Sequence, residues 1–158
     1  MLMGAYNRNL DVVYLSRNAY FEKEPVEEVL PVICSSWKEY NEPAVVSTHR
    51  CHYVSLKNEI VADGFSRLNS LLAQLCQIEN LRFISSCELG SLYSKGWSIR
   101  EIPNGAILRK WHPEAAAIRI SGVWETAVCA KSGKSYQAVD DKGRKVFTLP
   151  EGDYLLSK

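Results

Sequence analysis

Two of the chain's three histidines, His49 and His52, fall within four residues of each other in the run Ser47-Thr48-His49-Arg50-Cys51-His52-Tyr53. An imidazole titrates near pH ~6.5, so one side chain can both accept and deliver a proton at a reacting centre. His49 is the candidate catalytic residue; its plainer role would be a strand-end histidine hydrogen-bonded to a loop. Arg50 offers a planar fork of donors for a carboxylate or for sugar hydroxyls, or else a structural ion pair with Glu59 or Asp63. The His-x-x-His spacing invites a metal. Residues three apart on an extended segment point to opposite faces, however, and no cluster of Asp or Glu completes a ligand set. No metal site is therefore expected in this chain. Asn18 and Glu22 form a second candidate group as substrate contacts, with capping of the following helix as the structural alternative. No G-x-S-x-G elbow and no glycine-rich phosphate loop is present.

The elements that must hold these residues follow from periodicity. Pro43-Ala44-Val45-Val46 reads as a buried parallel strand, apolar without alternation, and His49 and Arg50 follow its carboxyl end, where such sheets place their chemistry. Residues 10–15, rich in Val, Leu and Tyr, predict a first strand that brings Arg17, Asn18 and Glu22 to the same rim. Val26, Val29, Leu30, Ile33, Cys34 and Trp37 recur at helical spacing, predicting a helix over about 26–40 whose first half Pro31 disturbs. Asp63 is the expected N-cap of a second helix ending near Asn80, with Phe65, Leu68, Leu71, Leu72, Leu75 and Cys76 on one face. A short strand over 81–84 and a helix opened by the capping box Ser85-x-x-Glu88 and stopped at Lys95-Gly96 complete three βα repeats.

Trp97 marks a change of pattern. Pro103-Asn104-Gly105 predicts a hairpin, and short strands separated by Ser121-Gly122, Ser132-Gly133, Lys142-Gly143 and Glu151-Gly152 follow. The expected fold class is α/β: a partial parallel βα layer over residues 1–96, then a small antiparallel β-sandwich over 97–158. Trp97, Trp111, Trp124 and Tyr136 are candidates for an aromatic sugar platform or, more simply, for the β-rich core.

Ser-Thr-His-Arg after a proline-led apolar strand resembles the last histidine motif of the polysaccharide deacetylase (NodB-like) superfamily, a group of carbohydrate-active hydrolases. Leu15-Ser16-Arg17-Asn18-Ala19-Tyr20-Phe21-Glu22 resembles the segment leading into it. Residues 64–75 and Phe83-Ile84-Ser85-Ser86-Cys87-Glu88-Leu89 resemble the helix, strand and helix start that follow. The likeness spans roughly residues 10 to 95, and no single segment is diagnostic. It implies the C-terminal part of a distorted β/α barrel, with His49 as a general acid on the active rim and carbohydrate as the partner. The family's metal-binding Asp and paired histidines belong to earlier strands, so a divalent metal such as zinc is expected only for a complete member. A truncated chain would self-associate or bind a missing N-terminal half, exposing the edge of the strand at 10–15. The competing reading is a non-catalytic glycan- or protein-binding module.

Composition narrows the classes. Nineteen basic against 18 acidic residues give a net charge of +1, without the basic excess of a nucleic-acid surface. No apolar run approaches the length of a membrane span, and residues 1–6 do not read as a signal peptide. Five cysteines form no CxxC pair. Cys34, Cys76 and Cys87 lie on faces read as apolar, which predicts buried thiols and a reducing compartment. The location expected is cytoplasmic if the chain is complete, exported if an N-terminal signal was lost.

Overall fold

The computed structural model describes residues 3–114 and 116–158. They divide into two units, one built on residues 15–83, the other on 4–14 together with 84–158. In chain order the first elements are β1 (Tyr6–Asn7), β2 (Val12–Val13), β3 (Ala19–Tyr20), α1 (Val26–Lys38) and β4 (Val46–Ser47). A 3-10 turn (Arg50–His52), α2 (Asn58–Cys76) and α3 (Ser86–Lys95) come next. Eight strands complete the chain: β5 (Trp97–Ile102), β6 (Gly105–Lys110), β7 (Ala116–Ile120), β8 (Thr126–Cys129), β9 (Ser135–Gln137), β10 (Val139–Asp141), β11 (Arg144–Leu149) and β12 (Gly152–Ser157).

The first unit is a βαβ arch leaning on a long helix. Glu27 and Glu28 occupy the first turn of α1 and Lys38 the last, each complementing the helix dipole. Its buried face, Val26, Val29 and Ile33, meets Ala19 and Phe21 from the β3 segment and Leu71 and Leu75 from α2. Burying side chains of this size contributes about 1.5–3 kcal/mol each. The helix runs on through Pro31. The proline is exposed, so water can serve the carbonyl one turn back that it leaves without a donor. After α1 the chain returns to lay β4 parallel to β3, pairing Ala19 with Val46 and Tyr20 with Ser47.

That short pair is all that forms of the expected parallel layer. Among the described residues the fold is mixed α/β with three α-helices and twelve strands, and every other strand pairing is antiparallel. The partial β/α barrel, and with it the parallel strand at 10–15 and its free edge, is overturned. The cause is turn chemistry at the start of the chain. Oδ1 of Asn7 accepts the amides of Asn9 and Leu10 at 3.0 and 3.2 Å, and Asp11 takes a left-handed φ of 50°. These turns fold the chain back so that Val12–Val13 pairs antiparallel with Tyr6–Asn7. Leu10 is left 64% exposed, which no central strand would allow. Residues 81–84 form no strand, since Asn80 at φ 62° redirects the backbone before they begin. Val46 is likewise 40% exposed, not sandwiched between helices. α2 begins at Asn58, so Asp63 lies in its second turn and not at its cap.

In the second unit the capping box forms as its sequence pattern suggests. Ser85 Oγ accepts the Glu88 amide at 3.2 Å, while the Glu88 carboxylate accepts the Ser85 amide at 3.0 Å. Gly96 ends α3 in the left-handed region at φ 77°, with the buried Leu89 and Leu92 behind it. The strands make two antiparallel sheets, ordered β5-β6-β12-β8-β9 and β10-β11-β7. Ile102 pairs with Gly105, so Pro103 and Asn104 are the turn of the β5–β6 hairpin. Both sheets feed one core: Ala106, Leu108, Ala127, Tyr154 and Leu156 from the larger, Ile118, Ile120, Phe147 and Leu149 from the smaller, with Trp124. The chain passes from one sheet to the other at Ala138, whose amide bonds the Glu125 carbonyl at 2.8 Å.

All five cysteines are free. Contrary to the buried thiols expected, Cys76 and Cys87 are exposed and Cys34 is half-buried; Cys51 is also exposed. No helix among the described residues is long and apolar enough to cross a membrane.

Candidate functional site

β3 and β4 are short, but they pair in parallel, and each is followed just beyond its carboxyl end by one candidate residue. Two residues past β3 is Glu22; two past β4 is His49. Their side chains meet, His49 Nδ1 against Glu22 Oε1, with the imidazole 61% and the carboxylate 32% exposed. A carboxylate on Nδ1 holds the proton there, which leaves the Nε2 lone pair available in the neutral ring. The contact thus orients the His49 ring through its Nδ1 side.

The two strand entries that lead to the pair are bonded to each other. Asn18 accepts the Val45 amide at 2.7 Å and donates to the Pro43 carbonyl at 3.0 Å, tying the two strand entries together. Asn18 is therefore a brace of this unit, with both of its amide atoms engaged. Arg17 reaches across to Ser47 Oγ at 3.3 Å. Arg50 opens the 3-10 turn with an exposed side chain, and its carbonyl accepts the amides of Tyr53 and Val54. It pairs with neither Glu59 nor Asp63; Asp63 lies 3.9 Å from Arg67 instead.

The 3-10 turn separates the roles of the two histidines. His49 goes to Glu22, whereas His52 stacks edge-on to Tyr53, whose ring in turn tilts against Phe65 at 5.5 Å. The turn sits closely on α2 at Gly64. A Cβ there would lie 2.0 Å from the His52 carbonyl oxygen, so the approach requires glycine. Beside it opens a cleft of about 650 Å³, lined by Lys23, Cys51, His52, Ser55, Glu59, Ile60, Asp63 and Arg67.

The turn carrying Glu22 is ordered from two sides. Glu24 Oε2 accepts the amides of Glu22 and Lys23, each at 3.0 Å. Its own amide and that of Glu22, followed by that of Lys23 and the Arg67 charge, hold its carboxyl below the usual range. Arg67 donates to the Glu22 carbonyl at 2.7 Å and to the Glu24 carbonyl, with its guanidinium over the Phe21 ring at 5.2 Å. None of these supports was singled out from the sequence. Gly64 inside a helical pattern was the one available signal of a close approach; Arg67 and Glu24 have no local signature.

The aromatic platform is not assembled as a set. Trp124 is in the core, Trp97 and Tyr136 pack against it, and Trp111 alone is exposed, edge-on to Tyr93. Among the described residues no three His, Cys, Asp or Glu side chains converge as a metal would require. Comparison with protein-family models, with curated proteins and with solved structures finds no match to this chain.

Proposed function

We propose that this chain is a carbohydrate-active, deacetylase-like protein in which His49, held by Glu22, moves a proton between water and the sugar group that leaves. The observation that carries the reading is the Glu22–His49 contact just beyond the carboxyl ends of the parallel pair. Water attacks the acetyl carbonyl and gives its proton to Nε2 of His49. The bond from the acyl carbon to the sugar nitrogen or oxygen then breaks as that proton reaches the leaving atom, yielding acetic acid and the free amine or hydroxyl. The neighbouring cleft suits a polyhydroxylated ligand. Lys23 and Arg67 supply donors, Glu59 and Asp63 acceptors, and Ser55 and His52 serve as either. Arg50, exposed on the same turn as His49, is the further sugar contact in this reading.

The test is acetate release from N- and O-acetylated oligosaccharides, with and without added zinc, by the wild type, His49→Asn and Glu22→Gln. General acid–base catalysis by His49 predicts a fall of roughly 10²- to 10⁴-fold in His49→Asn. Glu22→Gln should fall less. Release that is absent from the wild type in every arm, with the oligosaccharide still bound, would favour the non-catalytic glycan-binding module. Release unchanged in His49→Asn would remove the histidine from the chemistry.

A further inference from the structure

We infer that Arg67 is the positioning residue of the Glu22–His49 pair: from the third turn of α2 it fixes the 21–24 turn so that the Glu22 carboxylate meets Nδ1 of His49. The inference rests on the reading above for its consequence in catalysis, but not for its geometry. Glu22 lies outside any strand or helix, on a segment of four residues between Tyr20 and Pro25. Such a segment would ordinarily sample many conformations, and a carboxylate carried on it would point at His49 only part of the time.

Two complementary sets of bonds remove that freedom. Glu24 gathers backbone donors, the amides of Glu22 and Lys23. Arg67 gathers backbone acceptors, the carbonyls of Glu22 and Glu24, through its separate η nitrogens. A guanidinium can serve two carbonyls at once because its donors diverge in a fixed plane; an ammonium has no such fork. Phe21, buried to 2% exposure, lies under the guanidinium and anchors the turn to the core on its other side. Arg67 also lines the cleft, so the residue that orients the pair borders the space where a ligand would sit.

The experiment reads the tautomer of His49 directly, by long-range proton–nitrogen correlation of the ¹⁵N-labelled chain at a pH where the ring is neutral. The wild type should hold the Nδ1–H form. Arg67→Met should lose that preference and drift toward the mixture of a free imidazole, as Glu22→Gln also should, and its acetate release should fall on the order of 10- to 100-fold. Arg67→Lys keeps the charge and the stem but not the fork, so it should show a weakened preference. A folded Arg67→Met with an unchanged Nδ1–H signal overturns the inference. Should Arg67→Met fail to fold, Arg67→Lys decides: an undiminished Nδ1–H form in that variant overturns it equally. A wild type with no acetate release refutes the catalytic reading while leaving the tautomer result to judge Arg67 on its own.

Discussion

Each unit holds a carboxylate against a nitrogen base, and the two pairs are opposites. In the first, Glu22 meets His49 in the open, on segments beyond two short strands. In the second, Glu88 is 5% exposed and meets Arg109, itself 8% exposed, with Arg100 at 3.8 Å. Burial pushes the Glu88 carboxyl up, but the Ser85 amide, Arg109, the Ser85 hydroxyl and Arg100 outweigh it and hold it below the usual range. A pair out of water cannot exchange its proton without leaving an unpaired buried charge, so it serves as structure. A pair in water costs little to form or to break, so its proton is available to a substrate. The fold thus keeps one pair out of water and leaves the other open to it.

The largest expected effect tests the buried pair. Glu88→Ala strands Arg109 without its main partner and also removes the capping box, which should cost about 3–5 kcal/mol in urea unfolding. A loss under about 1 kcal/mol would erase the contrast. The sign of its pH dependence is fixed. The folded Glu88 carboxyl lies below its unfolded value of about 4.3, so its contribution is complete above that pH and is lost as the pH falls through the folded value. The gap between the wild type and Glu88→Gln should close in acid.

Next comes the seat of the 3-10 turn. Gly64→Ala gains about 1 kcal/mol in helix propensity but drives a methyl into the His52 carbonyl, a backbone atom that cannot rotate away. Overpacking of that kind costs about 1–3 kcal/mol, so a net loss is expected, together with a disturbed His49 signal in the histidine spectrum. A stabilised variant with an unmoved His49 would show that the turn yields freely.

Smaller still is the effect of a buried hydroxyl. Tyr154 donates to the Pro150 carbonyl at 3.0 Å, and burial, then its neighbours Tyr136 and Cys129, push its ionisation up to about 12. Tyr154→Phe should cost about 1 kcal/mol. With the folded value raised, the contribution of Tyr154 is complete below the unfolded value of about 10 and lost as the pH rises through about 12. Absorbance titration of the phenols, wild type against variant, follows it directly.

The smallest change in stability should come from the candidate site. His49→Asn and Glu22→Gln should each shift unfolding by no more than about 1 kcal/mol, as exposed pairs do. A larger loss would make the pair structural and bring the two units into line.

Much of the second unit was legible because its signals are local. Ser85-x-x-Glu88 and Pro103-Asn104-Gly105 carry their geometry within four residues, and both formed. The parallel layer was not, because an apolar run at 10–15 or 43–46 says nothing about which neighbour it will find. Asn7, accepting two amides, turned the first of these into a hairpin strand. At the site, Glu22 and His49 were named but their meeting was not, since it depends on α1 folding the chain back between them. Asn18, expected to face substrate, is taken up by the backbone of the opposite strand entry.

The bonds from Arg67 to the 21–24 turn span 43 and 45 residues of chain, which gives the site a place in time as well as in space. Helices form within microseconds, whereas contacts across such spans wait for the intervening chain to close. The carboxylate that faces His49 should therefore be aimed only after α2 has docked, late in folding. In pulsed hydrogen exchange during refolding, the amides of Glu22 and Lys23 should gain protection after those of α2; simultaneous or earlier protection would show that Glu24 orders the turn unaided.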